Sequence, residues 1–328
     1  MTAPAVRSPG ALPYEEAGSI VELATRAPSV HNTQPWSWRV NGNDLELYAD
    51  MARRLPVEDP SGRNAVVSCG AALHHCQVAA RALGWKPLTI HLPFGSDKTL
   101  LARITLVPTT PSPEDVAALE ALEARRTDRR RFTSWPVPDG RLHRLALTAT
   151  ARGCHAVPLL ESTTRFRLDL IMDRARSAQQ INSAAIREQG SWIDRTQVDG
   201  IPAALVPADP SDRDPNGRFG SGVMDEPEVE IERSDGVIVL AGATDDAEAW
   251  LRTGEGLSAL WLEATGQGLS VVPLSQPIEV EPTRLALGRE VLGGLLVPHL
   301  LVRIGWQAIS RSQLPRSPRR PVDDVLRS

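Results

Sequence analysis

The sequence predicts an α+β fold with two tandem repeats, each placing helices on an antiparallel-rich mixed sheet. Two small-residue-rich, apolar segments, Gly70–Gly84 and Gly254–Gly268, have the same length and both end in glycine. Each has the pattern of a buried helix with a C-cap glycine. Each is followed by a similar strand pattern, LLARI at 100–104 and LLVRI at 300–304. Two matches in the same order favour duplication of a whole domain over a short-period repeat.

The first half begins with a helix, a polar loop and a strand. Apolar residues in 20–27 recur at helical spacing, and Pro28 should end that helix because a residue preceding proline avoids the α region. The polar run 29–34 is then a loop, followed by an alternating strand that contains Trp36 and Trp38. Such a loop suits a planar polar ligand with the two tryptophans as apolar backing. An ordinary capped turn is the alternative.

A proline-rich stretch, 108–114, is the predicted junction between the halves, because proline breaks helices and strands. The first half would then span 14–110, after a flexible N-terminal arm at 1–13, and the second half 111–328. The second half would open with an amphipathic helix over 113–126.

An arginine-rich run at 125–132 follows that helix. If the run is extended, Arg125, Thr127 and Arg129 share one side. Guanidinium forks bind phosphate bidentately, and a hydroxyl can add another bond. The alternative is a solvated basic run, favoured at a helix C-terminus by the dipole.

Composition excludes several functional classes. The net charge of −4 argues against a nucleic-acid partner, and no apolar run approaches the roughly 18 residues that span a bilayer. The three cysteines lack a C-x-x-C pair, which predicts buried, reduced thiols with no disulfide framework. The adjacent His74 and His75 should diverge on a helix, so no metal site is expected. With no secretory signal, we expect a cytoplasmic protein.

Residues 194–235 are rich in proline, glycine and acidic side chains. A segment of this length without a regular pattern is a candidate lid, or an insertion without a role in chemistry.

The loop at 27–36 and the Arg125-x-Thr127-x-Arg129 run together resemble nitroreductase-fold FMN flavoproteins. The string VHNT within the loop resembles the Acg family, a two-repeat branch of that group. The resemblance covers about residues 14–327. It implies that two fused repeats imitate the family's homodimer, so that the chain is a monomeric pseudo-dimer.

The resemblance also implies a set of cofactor-binding residues. Arg125, Thr127 and Arg129 would hold the FMN phosphate, with Thr in place of the family's Ser. The first half lacks this motif near its N-terminus and instead supplies the loop, so a single FMN per chain is implied. The full set of implied cofactor-binding residues is Pro28, Ser29, Asn32, Arg125, Thr127, Arg129, Pro273, Leu274, Ser275 and Arg319.

Four members of that set, Pro273, Leu274, Ser275 and Arg319, come from two late segments. The loop with Leu274, Ser275 and Gln276 would run beside the isoalloxazine ring, although many relatives have Glu and Gly where this chain has Ser and Gln. Arg319 in the C-terminal basic tail would join the phosphate site, with Arg320 as the neighbouring candidate.

The implied activity is that of an FMN-dependent oxidoreductase. NAD(P)H would reduce the flavin, which would reduce a nitroaromatic, quinone or similar acceptor without a side-chain acid or base. The alternatives are an FMN-sequestering or stress protein with a lid-closed flavin and little turnover, and a structural or partner-binding protein that has lost the flavin site.

Overall fold

The computed structural model describes residues 12–95, 97–208, 224–227, 234–308 and 314–327. Most of the predicted N-terminal arm lies outside these residues. So do two stretches of the candidate lid, 209–223 and 228–233.

Helices and strands are interspersed along both halves, which confirms the predicted α+β class. The helices are α1 (Tyr14–Ala24), α2 (Arg63–Ala82), α3 (Pro113–Ala124), α4 (Asp139–Thr150), α5 (Ser162–Gln180), α6 (Ser183–Gly190), α7 (Ala247–Gly266), α8 (Gln276–Glu279), α9 (Glu281–Ala286) and α10 (Val322–Val325). The strands are β1 (Trp36–Asn41), β2 (Asp44–Ala49), β3 (Trp85–His91), β4 (Leu100–Pro108), β5 (His155–Pro158), β6 (Pro207–Ala208), β7 (Met224–Pro227), β8 (Gly236–Gly242), β9 (Leu269–Leu274), β10 (Val297–Trp306) and β11 (Leu326–Arg327).

The two main sheets have equivalent strand orders, with β1, β2, β4 and β3 of the first corresponding to β5, β8, β10 and β9 of the second. The first sheet runs β11-β1-β2-β4-β3, and the second runs β5-β8-β10-β9. Neighbouring strands are antiparallel except for β11, which pairs in parallel with β1 at Trp38 and Leu326. Apart from β11, each strand of one sheet has a counterpart in the other. The C-terminal strand β11 lies within the predicted second half but belongs to the first sheet. The boundary between 14–110 and 111–328 stays a prediction.

Helices α2 and α7 are the main contact between the halves. A Cβ atom on Gly70 would overlap the carbonyl oxygen of Leu251, and one on Gly254 would overlap that of Val67. Glycine permits this close approach because it has no side chain. The two contacts are reciprocal, as expected for an interface related by an approximate twofold axis.

Two helices end earlier than predicted. Helix α1 stops at Ala24, before Pro28 is reached. Helix α3 starts with a capping box between Ser112 and Asp115 and stops at Ala124 because Arg125 adopts an extended backbone.

The three cysteines are free and buried, as predicted. Burial raises the pKa of the Cys76 and Cys154 thiols to about 12, which disfavours the reactive thiolate. Within the described ranges, every helix is too short or too polar to cross a membrane.

Candidate functional site

A cavity of about 140 Å³ lies where the loop after α1 faces β9 and β10. We call it the apolar cavity because Trp261, Leu257 and Leu300 contribute to its wall. Seven of the ten predicted site residues line it: Pro28, Ser29, Thr127, Arg129, Pro273, Leu274 and Ser275. The structure therefore brings together segments that are up to about 250 positions apart in the chain.

A second cavity of about 370 Å³ adjoins the first at Thr127, which lines both. We call it the arginine cavity, since its wall includes Arg26, Arg125, Arg126, Arg316, Arg319 and Arg320. An elongated ligand that is apolar at one end and anionic at the other would match this pair of cavities.

Arg125 lines the arginine cavity and packs against Trp261 of the apolar cavity wall. Its Cζ atom is 4.7 Å from the centroid of the Trp261 ring, and its Nη2 donates to the carbonyl oxygen of Arg26 at 2.8 Å. Its Nε and Nη1 are buried and have no hydrogen-bond partner among the described residues. Burial, together with Arg319 and Arg126, lowers the pKa of Arg125 to about 9. A buried cation with unused donors favours a bound anion.

Arg319 lines the arginine cavity but uses its donors within the protein. Its guanidinium donates to the carbonyl oxygens of Thr25, Arg26 and Ala27 and to Oδ1 of Asn32. Burial, with nearby Arg26 and Arg126, lowers its pKa to about 10. The arrangement joins the tail to the loop, and the predicted phosphate contact of Arg319 stays a prediction.

The side chain of Asn32 also joins segments. Its Nδ2 donates to the carbonyl oxygens of Gly200 at 2.9 Å and Pro318 at 3.1 Å, and Asn32 is outside the apolar cavity wall. His31, Asn32 and Gln34 have φ angles of 45°, 56° and 50°. Left-handed backbone at non-glycine residues costs about 1–3 kcal/mol each and persists where surrounding contacts impose it. The predicted flavin contact of Asn32 stays a prediction.

The predicted phosphate motif is divided between the two cavities. Arg125 and Thr127 line the arginine cavity, whereas Arg129 lines the apolar cavity. Thr127 lines both cavities, so the motif spans their junction and does not present all three side chains to one cavity.

Sequence reasoning assigned the wrong tryptophans to the ligand. Trp36 and Trp38 are buried in the hydrophobic core of the first half, so the prediction that they back a ligand is wrong. Trp261 lines the cavity instead. The alternation of β1 puts both tryptophans on one face, which packs inward. The sequence signal for this role was that Trp261 is a large aromatic residue within the small-residue-rich repeat 254–268.

Arg303 is another residue that sequence reasoning missed. It lines the apolar cavity, its Nε donates to Oδ2 of Asp235 at 2.7 Å, and its Cζ lies 4.3 Å from the Phe132 ring centroid. Its buried Nη2 has no hydrogen-bond partner among the described residues. A lone cation in the apolar strand LLVRI was the sequence signal.

His31 lines the apolar cavity as well, and its Nε2 lies 2.8 Å from Oε2 of Glu58. Both side chains are buried. This histidine–carboxylate pair is absent from the predicted site.

In the described part of the chain, no group of three or more His, Cys, Asp or Glu side chains could hold a metal ion. His74 and His75 do converge, contrary to expectation. Their Nδ1 atoms lie 2.7 and 2.9 Å from the Ser258 hydroxyl. Burial lowers the pKa of both imidazoles well below the usual value, which keeps them neutral.

The described start of the candidate lid packs on the first half. Asp199 forms an ion pair with Arg53, and Gln34 Nε2 donates to the carbonyl oxygen of Val198 at 2.9 Å. Whether 194–235 acts as a lid stays a prediction.

No protein-family model matches the chain. The chain is 39% identical over 316 residues to the Mycobacterium tuberculosis protein named "Putative NAD(P)H nitroreductase Rv3131", covering 95% of this chain and 91% of the relative. It is 33% identical over 322 residues to "Putative NAD(P)H nitroreductase acg" of the same organism, covering 94% of each.

Solved structures of nitroreductases also match part of the chain. An FMN-bound nitroreductase from Bacteroides fragilis shares 13% identity, with a TM-score of 0.40 over 62% of this chain and 94% of that one. The FMN-dependent nitroreductase NfnB from Mycobacterium smegmatis, in complex with NADPH, shares 15% identity, with a TM-score of 0.39 over 62% of this chain and 97% of that one.

Proposed function

Because the chain belongs to the NAD(P)H nitroreductase family that includes acg, we propose that it is an FMN-dependent NAD(P)H oxidoreductase. The observation that carries the proposal is the junction of the apolar and arginine cavities at Thr127. FMN has the matching shape and polarity, with a planar ring system at one end and a phosphate at the other.

The unused donors of Arg125 support the fit of this cofactor. Its buried Nε and Nη1 would find acceptors in a phosphate, and the bonds would be charge-assisted. Thr127 lies between the two cavities, where it would hold the chain that joins the phosphate to the ring. The arginine cavity and its neighbouring apolar wall therefore accommodate both ends of one ligand.

The apolar cavity would orient the ring system. Trp261, Leu274 and Pro273 would exclude water from it, while Ser29 and Ser275 would offer hydrogen bonds at its edges. Bound FMN supplies the hydride and electron chemistry between NAD(P)H and a small acceptor such as a nitroaromatic or a quinone. The residues of the chain bind and orient it.

The internal interface supports a monomeric pseudo-dimer with one FMN per chain. The reciprocal contact between Gly70 and Gly254 takes the place that a contact between subunits would have in a homodimer. Free, buried thiols fit a reducing compartment, which we propose to be the cytoplasm.

The test is the visible spectrum of the FMN-loaded protein before and after NADPH or NADH is added without oxygen. The proposal predicts an oxidised-flavin band that bleaches with at least one of the two. A band that persists with both would contradict the oxidoreductase and support the sequestering alternative. An absent band after incubation with FMN would contradict the cofactor itself.

A further inference from the structure

The His31–Glu58 pair combines a cavity position with a charge partner. His31 belongs to the cavity wall, and its Nε2 lies 2.8 Å from Oε2 of Glu58. The two side chains are only 5% and 3% exposed. A carboxylate at this distance accepts a hydrogen bond from the imidazole and fixes the orientation of the ring. Histidine held by a buried carboxylate is a recurrent arrangement for moving protons.

Among the side chains that line the apolar cavity, His31 alone is of a type that changes charge in the physiological pH range. The other polar members are hydroxyls, the amide of Asn64 and the guanidinium groups of Arg129 and Arg303. Hydroxyls and guanidinium groups do not release protons near neutral pH. A proton donor within this wall must therefore be His31.

The backbone positions of both partners are held by several contacts. His31 has a left-handed backbone with φ 45° and ψ 23°, although it is not glycine. The carboxylate of Glu188 accepts the backbone N–H groups of Val57 and Glu58, the second at 2.8 Å. Strain that the surrounding structure maintains is concentrated at functional sites. The loop is thus held in a conformation that keeps the imidazole beside the cavity.

We propose that His31 donates the proton that an acceptor needs when it is reduced beside the ring system held in the apolar cavity, with Glu58 as its positioning residue. This inference rests on the proposed oxidoreductase function. It assigns an acid to a reaction for which the sequence alone implies no side-chain acid.

The step balances for a quinone acceptor. With FMN bound, the cofactor would supply the quinone with a hydride, which carries two electrons and one proton. One further proton comes from the imidazolium of His31, whose N–H bond breaks as an O–H bond of the hydroquinone forms. The neutral imidazole then regains a proton from water. Over the cycle, NAD(P)H, one proton and the quinone give NAD(P)⁺ and the hydroquinone.

Ferricyanide is a matched acceptor because it takes electrons without a proton. In the FMN-loaded protein, we expect His31→Gln to lower kcat for the quinone by about 100-fold or more, the usual contribution of a general acid. Ferricyanide reduction and the Kd for FMN should change less than about twofold. His143→Gln, at an exposed position on α4, is the control and should leave both activities unchanged.

Glu58→Gln retains the imidazole and separates a role in chemistry from a role in folding. We expect it to lower quinone turnover by about tenfold, because loss of a partner that orients the ring has effects of this order. In the apoprotein labelled with ¹⁵N-histidine, the ring resonances of His31 should move in Glu58→Gln. They are assigned by their loss in His31→Gln.

Equal losses with quinone and ferricyanide in His31→Gln, or no loss with either, would overturn the assignment and leave water as the proton source. Unmoved ring resonances in Glu58→Gln would overturn the role of Glu58. Failure of the wild-type protein to bind FMN or to oxidise NAD(P)H would instead contradict the proposed function, so the two failures are distinguishable.

Discussion

The apolar cavity and its counterpart across the internal twofold axis have the same framework but different chemistry. Helices α2 and α7 have equal lengths, and β3 and β9 begin the same number of residues after them. This alignment matches Trp261 of the cavity wall with Gln77, and Ser275 with His91. The position beside Trp261 and Ser275 is the apolar cavity. The counterpart position beside Gln77 and His91 is occupied by a cluster of hydrogen-bonded polar side chains.

Glu255 is the centre of the counterpart cluster. Its carboxylate accepts from Gln77 Nε2 at 2.9 Å, lies 2.8 Å from His91 Nε2 and lies 3.7 Å from Arg252 Nη1. Glu255 is buried, and Ala71 is the residue that corresponds to it in α2. The duplicated framework has thus kept its packing, while the second potential site is filled by side chains. The filled counterpart supports the proposal of one flavin site per chain.

The shared framework is tested by adding one carbon at the helix crossing. Gly70→Ala and Gly254→Ala should each lower the free energy of unfolding by more than about 3 kcal/mol, because the new Cβ meets backbone that cannot move away alone. Gly266→Ala, where a Cβ meets nothing within 4 Å, should instead raise stability slightly. Urea denaturation measures all three. A small effect at only one of the crossing glycines would contradict the twofold packing.

The counterpart cluster is tested by Glu255→Ala. We expect a loss of about 3 kcal/mol in the free energy of unfolding, because His91 and Gln77 lose a buried charged partner. Glu248→Ala, one exposed residue of the same helix, should cost less than about 1 kcal/mol. The folded Glu255→Ala variant should still bind one FMN. Similar stability losses in the two variants would show that the cluster contributes little.

The anionic end of the site is tested by Arg125→Ala. Loss of a charge-assisted phosphate contact should weaken FMN by about 1.5–3 kcal/mol, or roughly ten- to a hundredfold in Kd. Flavin fluorescence quenching measures the affinity. Arg144→Ala on the exposed side of α4 is the control and should bind FMN like the wild type. Unchanged affinity in Arg125→Ala would contradict the phosphate assignment.

The smallest expected effect is that of Ser29→Ala. Ser29 lines the apolar cavity, and loss of a neutral hydrogen bond from its hydroxyl to FMN should cost about 1 kcal/mol. The Kd for FMN should therefore rise by about fivefold. Ser177→Ala, on the surface of α5, should leave it unchanged. A loss as large as that of Arg125→Ala would mean that the loop dominates binding.

Much of the fold followed from local patterns. The glycines of the repeat and the two similar strands predicted duplicated halves because helical and strand periodicity are local properties. The meeting of Pro28, Thr127 and Leu274 at one cavity came from family resemblance, since no local pattern specifies contacts across the chain. The phosphate assignment of Arg319 rests on the same resemblance.

The remaining site features depend on tertiary packing. Trp36 and Trp38 pack inward because their face of β1 is turned toward the core. The alternation of the strand in the sequence does not show which of its two faces is buried. The donors of Arg319 are taken up by carbonyl oxygens of residues almost 300 positions earlier, which no spacing rule predicts. The pairing of His31 with Glu58 likewise needs the left-handed turn of the loop.

The stoichiometry of FMN binding tests the central claim most directly. The apoprotein is titrated with FMN, and bound flavin per chain is measured by absorbance after free flavin is removed. We expect saturation at one FMN per chain, with Arg125→Ala shifting the midpoint but leaving the stoichiometry at one. Saturation at two FMN per chain would contradict the filled counterpart, and no saturable binding would contradict the site itself.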